Sequence, residues 1–344
     1  VTDPRFVWLT HAPATTRWLK RELADRAPQL RFAFARPGVT TFKLAQPLPR
    51  DWVLPSSFAR AWGWSCGRAS TVAELLALAE PLATTRLHVF ERDIAVPIEE
   101  QDHGHRGTRA AALREAIEQA APGRWPSDPI ARSGERVLDV VVAHASEPDE
   151  PALIGWHEQG PAHGPEPGGV QHRRWPPDAP SRAWAKLEEL LAWSGLEPRA
   201  GELAVEIGAA PGGASFALLE RGLRVIGIDP GPMHVRVLGH RSGFTHLRKP
   251  FAELARDELP RRFDWLLVDV NLAPTIALRY VEQLLARARP RALLFTLKLN
   301  DDAVAASLPR LHARLHELAG PRGRVRSVAL PSHRSEVAAL VEFG

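Results

Sequence analysis

From Ala183 to Phe343 the chain alternates apolar strand-like runs with amphipathic stretches of helical spacing, and this alternation limits the fold more than any other feature of the sequence. It predicts a helix over Ala183 to Ser194, a strand over Leu203 to Ile207, a helix from Ala214 and a strand over Arg224 to Ile228. It continues with a helix near Met233, a strand at Trp265 to Val268, a helix at Thr275 to Ala288 and a strand at Ala292 to Leu297. A helix at Ala303 to Leu318 and strands at Val325 to Leu330 and Val337 to Phe343 complete the series. Such a succession with short connections predicts an α/β domain built on a doubly wound, mostly parallel, Rossmann-like sheet. Ligands of such sheets bind outside the carboxyl ends of the strands.

The segment LAVEIGAAPGGASFALL is a strand running into a loop with Gly208, Gly212 and Gly213, then a helix. Glycines let a ligand approach the backbone without interference from Cβ, and the helix start offers free N–H groups. The spacing is not G-x-G-x-x-G, and no Walker lysine follows, so neither a dinucleotide nor a nucleotide triphosphate is the best match. Asp229 ends the next strand, RVIGIDP, where an acid commonly accepts hydrogen bonds from ribose hydroxyls.

Lysine is scarce, with five among 44 basic residues, yet Lys186 and Lys298 stand in PSRAWAKLEELL and FTLKLND. Arg stays protonated, whereas a desolvated Lys can lose its proton near neutral pH and serve as a base. Asp269 and Lys298 each follow an apolar run at a strand end, while Lys186 and Glu336 singly read equally well as solvated charges.

Before this domain the pattern is different. Residues 1–54 read as strand, helix and two further strands, with Pro37-Gly38 as a turn. Residues 55–170 contain SSFARAWGWSCGRA, a helix at Val72 to Ala79, a strand LHVFER, a helix at Arg109 to Ala121 and a strand VLDVVVAHA. These are expected to be two small α+β domains. Residues 145 to 180 are rich in Pro, Gly and His and read as a linker, with Leu153 to Trp156 as one edge strand. The last domain is expected over 171–344, with the boundary near Gln171.

A chain of 344 residues exceeds a typical single core. The formal charge of +4 fits a polyanionic partner. The single cysteine, Cys66, excludes an intramolecular disulfide framework and an all-cysteine metal site. With no export signal and no apolar stretch near the ~20 residues of a membrane span, a soluble cytoplasmic protein is expected. The start at Val1 rather than Met suggests a trimmed N-terminus. His103 and His105 in EEQDHGHRG have carboxylate neighbours but read as a surface loop, and no metal is expected.

E-x-G-x-x-P-G-G followed by I-D-P-G-P-M closely resembles the S-adenosylmethionine-binding segments of FtsJ-like ribose 2′-O-methyltransferases. That family carries a Lys–Asp–Lys–Glu tetrad, with counterparts here in order: Lys186, Asp269, Lys298 and Glu336. PPDAPSRAWAKLEELL, IDPGPM, FTLKLND and HRSEVAAL further resemble the RlmM-type enzymes, which methylate a cytidine ribose in 23S rRNA. The front half is similar in order to that family's ferredoxin-like domain (1–54) and THUMP domain (55–170).

The resemblance implies an S-adenosylmethionine cofactor bordered by Ser181, Glu206, Gly208, Ala210, Pro211, Gly212, Gly213, Asp229 and Asp269. It implies an RNA partner, 23S rRNA or a large-subunit precursor. Lys298 is the expected general base, Asp269 orients the reacting groups, and Lys186 and Glu336 position the ribose. Arg31, Arg36, Arg60, Arg68, Arg173 and Arg174 are candidate phosphate contacts, and Trp62 and Trp64 candidate stacking groups. The aligned stretch HLRKPFAEL places Pro250 where the family has an acid that meets adenine, leaving backbone or Glu253 for that contact. An RNA-binding assembly factor with a decayed methyltransferase domain, and an enzyme acting on another RNA such as tRNA, stay open as alternatives.

Overall fold

The structure is a computed structural model; it describes residues 4–344 except 50–51, 94–106, 145–146, 148, 171–172, 174, 256, 300–301 and 334–335. The chain divides into two compact units, Val1–Gln171 with Ala192–Gly195, and His172–Leu191 with Leu196–Gly344.

Unit 1 comprises β1 (Phe6–Thr10), α1 (Thr16–Arg26), β2 (Leu30–Arg36), β3 (Val39–Leu44), β4 (Ala61–Ala69), α2 (Val72–Ala79), β5 (Arg86–Glu91), α3 (Thr108–Ala120), β6 (Arg136–Val142) and β7 (Ala152–Glu158). Its seven strands form one sheet in the order β2-β3-β1-β4-β7-β6-β5. Local chemistry explains several of these elements. Pro37-Gly38 turns β2 into β3 with Gly38 at φ +76°, where a side chain would be strained. The α2 start is fixed by a reciprocal pair: Glu74 N–H donates to Thr71 Oγ1, and Thr71 N–H to the Glu74 carboxylate. Leu75, Leu87, Ile117, Leu138, Val140 and Ile154 pack beneath α2 and α3 as a core.

Strands from residues 1–54 and 55–170 are joined through the antiparallel β1–β4 pair. The segment around Leu153 to Trp156 is no edge strand in a linker: β7 lies inside the sheet, antiparallel to both β4 and β6. Average composition across 145–180 hides a seven-residue strand whose Ile154 is fully buried. Its backbone groups on both sides find strand partners, which composition does not report.

Unit 2 begins with α4 (Ala183–Ser194), the last residues of which cluster with unit 1. It continues through β8 (Leu203–Ile207), α5 (Gly213–Glu220), β9 (Arg224–Ile228), α6 (Val235–Gly239), β10 (Phe244–Leu247), β11 (Trp265–Val268), α7 (Pro274–Leu285), β12 (Ala292–Lys298), α8 (Asp302–Ala319), β13 (Arg324–Val328) and β14 (Glu336–Glu342). The sheet order is β10-β9-β8-β11-β12-β14-β13. Strands β8 to β12 are parallel, while β14 runs antiparallel to both β12 and β13. From β8 the chain winds outward through β9 to β10, then returns to place β11 on the other side of β8. The reversal opens a crevice beyond the carboxyl ends of β8 and β11, the position at which doubly wound sheets bind ligands. β10 is an addition to the strands expected from alternation, being only four residues long and half exposed.

Candidate active site

Three strand ends and one helix meet at this crevice. Asp269 follows β11, Lys298 closes β12, Glu336 opens β14, and Lys186 stands on α4. Lys298 and Glu336 are register partners across the antiparallel β12–β14 pair, so pairing alone brings amine and carboxylate together. The four side chains form a closed ring of alternating charge. Lys186 Nζ lies 3.2 Å from Asp269 Oδ2 and 2.6 Å from Glu336 Oε2. Lys298 Nζ lies 2.9 Å from Asp269 Oδ1 and 2.5 Å from Glu336 Oε1.

Two of these contacts, Lys186 to Asp269 and Lys298 to Glu336, have hydrogen-bond geometry. The other two are close but poorly aligned. Asp269 Oδ1 and Glu336 Oε2 are thereby buried acceptors without an aligned donor among the described residues.

Burial pulls Glu336 upward, but the neighbouring positive charges, Lys186 first, outweigh it and bring the carboxyl down to about 2. Burial likewise works against the Lys298 ammonium, yet the carboxylates of Asp269 and Glu336 prevail and hold that amine above its ordinary value. Lys298 is therefore charged in the ligand-free protein. A neutral lysine at rest is not what this geometry produces.

His333 and Glu189 are supporting residues that the sequence did not single out. His333 is buried beside the ring, with Nδ1 accepting from Leu330 N–H and Nε2 3.9 Å from Glu336 Oε2. Burial, then Lys186, lowers its pKa to about 4, so it stays neutral. Glu189 is fully buried on α4, and its carboxylate accepts from Ser332 N–H at 2.8 Å, Ser332 O–H at 2.7 Å and Arg173 N–H at 3.2 Å. It ties α4, which carries Lys186, to the turn that precedes Glu336. The only local signal was an acid on the apolar face of an amphipathic helix. Glu189→Ala is expected to destabilise unit 2 by about 2–3 kcal/mol, since charged hydrogen bonds are lost and donors are stranded. Urea unfolding checks this, and Glu189→Gln should cost less.

The glycine loop closes one side of the crevice. Gly208 has φ +83°, and a Cβ there would stand 2.2 Å from the Asp269 carbonyl oxygen, so only glycine lets the loop pass Asp269. Ala210-Pro211 is a cis peptide. Asp229 accepts from Ala210 N–H at 3.2 Å and Gly231 N–H at 2.7 Å, tying the loop to the turn after β9. Ser181 packs against Gly213, where an added Cβ would meet its Oγ at 2.4 Å. Gly212 is the left-handed residue that starts α5. Glu206 is buried within the sheet and receives the Ser215 hydroxyl at 2.5 Å, clamping β8 to α5. Pro250 is exposed and leads into a short helical turn holding the exposed Glu253.

The candidate RNA contacts are placed unevenly. Arg36 and Arg68 both lie over the Phe34 ring, at 4.6 and 4.2 Å, and Arg31 is exposed. Arg60 is instead buried against Asp93 at 2.8 Å, and Trp62 is buried among Trp52, Trp64 and His163. Trp64 is half-buried. Arg173 is half-buried, and its backbone N–H is the group bound to Glu189. Arg174, His103 and His105 lie outside the described residues. Among the described residues, no helix is long and apolar enough to cross a membrane.

Residues 179–314 match the FtsJ-like methyltransferase family. Curated relatives include "Ribosomal RNA large subunit methyltransferase M" of Laribacter hongkongensis, 35% identical over 161 residues, or 44% of each chain. The protein of that name from Halorhodospira halophila is 41% identical over 144 residues, or 41% of each chain. In both cases the match spans less than half of the relative's length. Among solved structures, TrmN from Thermus thermophilus aligns over 98% of this chain and 99% of its own, at 16% identity and a TM-score of 0.35. The matched residues 179–314, which hold the glycine loop, Asp229, Lys186, Asp269 and Lys298, are thus similar to the FtsJ-like methyltransferase family.

Proposed function

We propose that the protein methylates a ribose 2′-hydroxyl of RNA with S-adenosylmethionine, and that its target is a cytidine of 23S rRNA, alone or in a large-subunit precursor. The observation that carries this reading is the closed Lys186–Asp269–Lys298–Glu336 ring at the crevice lined by the glycine loop. The donor set fits the cofactor: Asp229 at the end of β9 suits a ribose diol, the glycine loop permits close backbone approach, and Asp269 is an anion beside the crevice. When bound, the cofactor supplies an electrophilic methyl group on a sulfonium.

The protein's part is to align the hydroxyl and remove its proton. The Asp269 and Glu336 carboxylates, which flank Lys298, are the groups that orient it. Lys298 accepts the proton once it is neutral, which its raised pKa opposes in the free protein. A positive charge entering the crevice disfavours the ammonium, and contacts of the carboxylates with substrate weaken their hold on it. Lys186 stays between Asp269 and Glu336 and keeps both in place.

Within unit 1 we assign residues 1–54 to a ferredoxin-like module and 55–170 to a THUMP-like module that binds RNA in the cytoplasm. Arg36 and Arg68, stacked on Phe34, and the exposed Arg31 are the phosphate contacts we favour. The decisive experiment is transfer of labelled methyl groups into total rRNA lacking the modification, with the product mapped by mass spectrometry. Label on one cytidine ribose of the large-subunit RNA, lost in Lys298→Ala, is expected. Absence of both label and cofactor binding would mean an RNA-binding protein with a decayed domain, and label on tRNA would redirect the substrate.

A further inference from the structure

Three adjacent strands of unit 1 carry polar groups inside otherwise apolar runs: His88 in LHVFE, Asp139 in VLDVVV and His157 in LIGWHE. His88 and Asp139 are register partners in the β5–β6 pair. Asp139 faces Gly155 on β7, two residues from His157, so the three side chains leave the same face of the sheet. All three are buried, and one ligating atom from each lies within 4.8 Å of the others. They do not belong to the methyltransferase site, which lies in unit 2.

Hydrogen bonds on the far side of each ring fix its tautomer. His88 Nε2 is 2.8 Å from the Pro129 carbonyl oxygen, which can only accept, so the N–H is on Nε2. The His88 Nδ1 lone pair then faces Asp139 Oδ1 at 3.7 Å. His157 Nε2 is 3.1 Å from Gln159 Oε1, and the Gln159 amide is itself oriented by donating to the His163 carbonyl at 3.1 Å. His157 Nε2 is therefore also the donor, and its Nδ1 is 2.6 Å from Asp139 Oδ2.

With both rings neutral, two lone pairs and a carboxylate confront one another where water does not reach. A proton on His157 or a metal ion supplies the compensating positive charge. A proton on His157 Nδ1 satisfies that contact but leaves the His88 lone pair facing an anion. A divalent metal ion satisfies all three at once. Neutral imidazoles whose outer N–H groups are held by carbonyl acceptors, beside a carboxylate, are what transition-metal ligation asks of its surroundings. Metal–ligand distances of about 2.0–2.1 Å in a tetrahedral zinc site put ligand atoms roughly 3.3 Å apart. The 3.7 Å separation is close to that value, whereas 2.6 Å is a hydrogen-bond length, so metal entry replaces the His157–Asp139 proton and widens that contact.

We propose that His88 Nδ1, His157 Nδ1 and the Asp139 carboxylate form a binding site for one divalent transition-metal ion, zinc by the chemistry of the donors, which cross-links β5, β6 and β7. Cys66 is outside the donor set.

The test uses the full chain, stripped with a chelator and dialysed against zinc, or against cobalt(II) as a spectroscopic probe. One equivalent per chain, a visible cobalt d–d band and two paramagnetically shifted imidazole N–H resonances are expected, because Nε2–H remains on each ligating ring. Zinc should raise the thermal midpoint. His88→Gln and His157→Gln should each abolish the band, while His312→Gln in unit 2 should leave it. Should neither variant fold, the two shifted resonances of the parent protein decide by themselves. Sub-stoichiometric metal, a band that survives both substitutions, or the lack of shifted N–H resonances would overturn the site and leave a proton on His157 as its occupant.

Discussion

Replacing Lys298 with Ala or with Arg is expected to slow the proposed methyl transfer by roughly 10²–10⁴-fold, the ordinary contribution of a positioned general base, with S-adenosylmethionine binding expected to persist. Arg preserves the positive charge between Asp269 and Glu336 but cannot give up its proton, so it separates base from electrostatic partner. Under the proposed function, the rate of the parent protein should rise with pH until Lys298 is deprotonated in the substrate complex. Asp269→Asn removes one of the two carboxylates that hold the ammonium, and should move this rise to lower pH even as it costs rate. Single-turnover measurements across pH provide the check. A Lys298→Arg enzyme as fast as the parent would sink the base assignment while leaving the cofactor site untouched.

The second large effect is on stability. Burial pushes the Glu206 carboxyl up to about 8, with Asp269 and Asp229 adding to the rise and Ser215 opposing it. In the unfolded chain the same group ionises near 4.5. Between those values the folded state holds the proton and the unfolded state does not. Stability from this group therefore falls as pH rises from about 4.5 to about 8, then levels off. The whole swing is on the order of 3–5 kcal/mol. Glu206→Gln keeps an acceptor for Ser215 and stays neutral at every pH. It should match the parent near pH 4.5 and exceed it by several kcal/mol above pH 8 in urea unfolding. Parallel pH dependences for the two proteins would mean that Glu206 is ionised in the fold.

The two predictions rest on different kinds of information. The order Lys186, Asp269, Lys298, Glu336 and the Gly208–Gly213 loop were readable because each lies in a recognisable local pattern. Strands β8, β9 and β11 and helix α4 run over the residues that apolar spacing predicts, since that spacing repeats within a few residues of itself. The placement of β7 is not legible in the sequence, for the opposite reason. Whether a strand is interior depends on β4 and β6, which are remote in sequence, and the surrounding Pro and Gly diluted its apolar pattern. His88, Asp139 and His157 went unremarked because each is a single polar residue in an apolar run until strand pairing sets them side by side.

By itself the sequence determined the alternation of elements in unit 2, the glycines that let backbone pass near backbone, and the identity and order of the four charged residues. Only the tertiary structure decided that those four close into a ring, that Lys298 is held protonated and that Glu206 is held neutral. The physical reason is range. Helix and strand periodicity is set by near neighbours along the chain, whereas a pKa is set by burial and by charges brought close in space: Lys186 meets Asp269 across 83 positions and Lys298 meets Glu336 across 38.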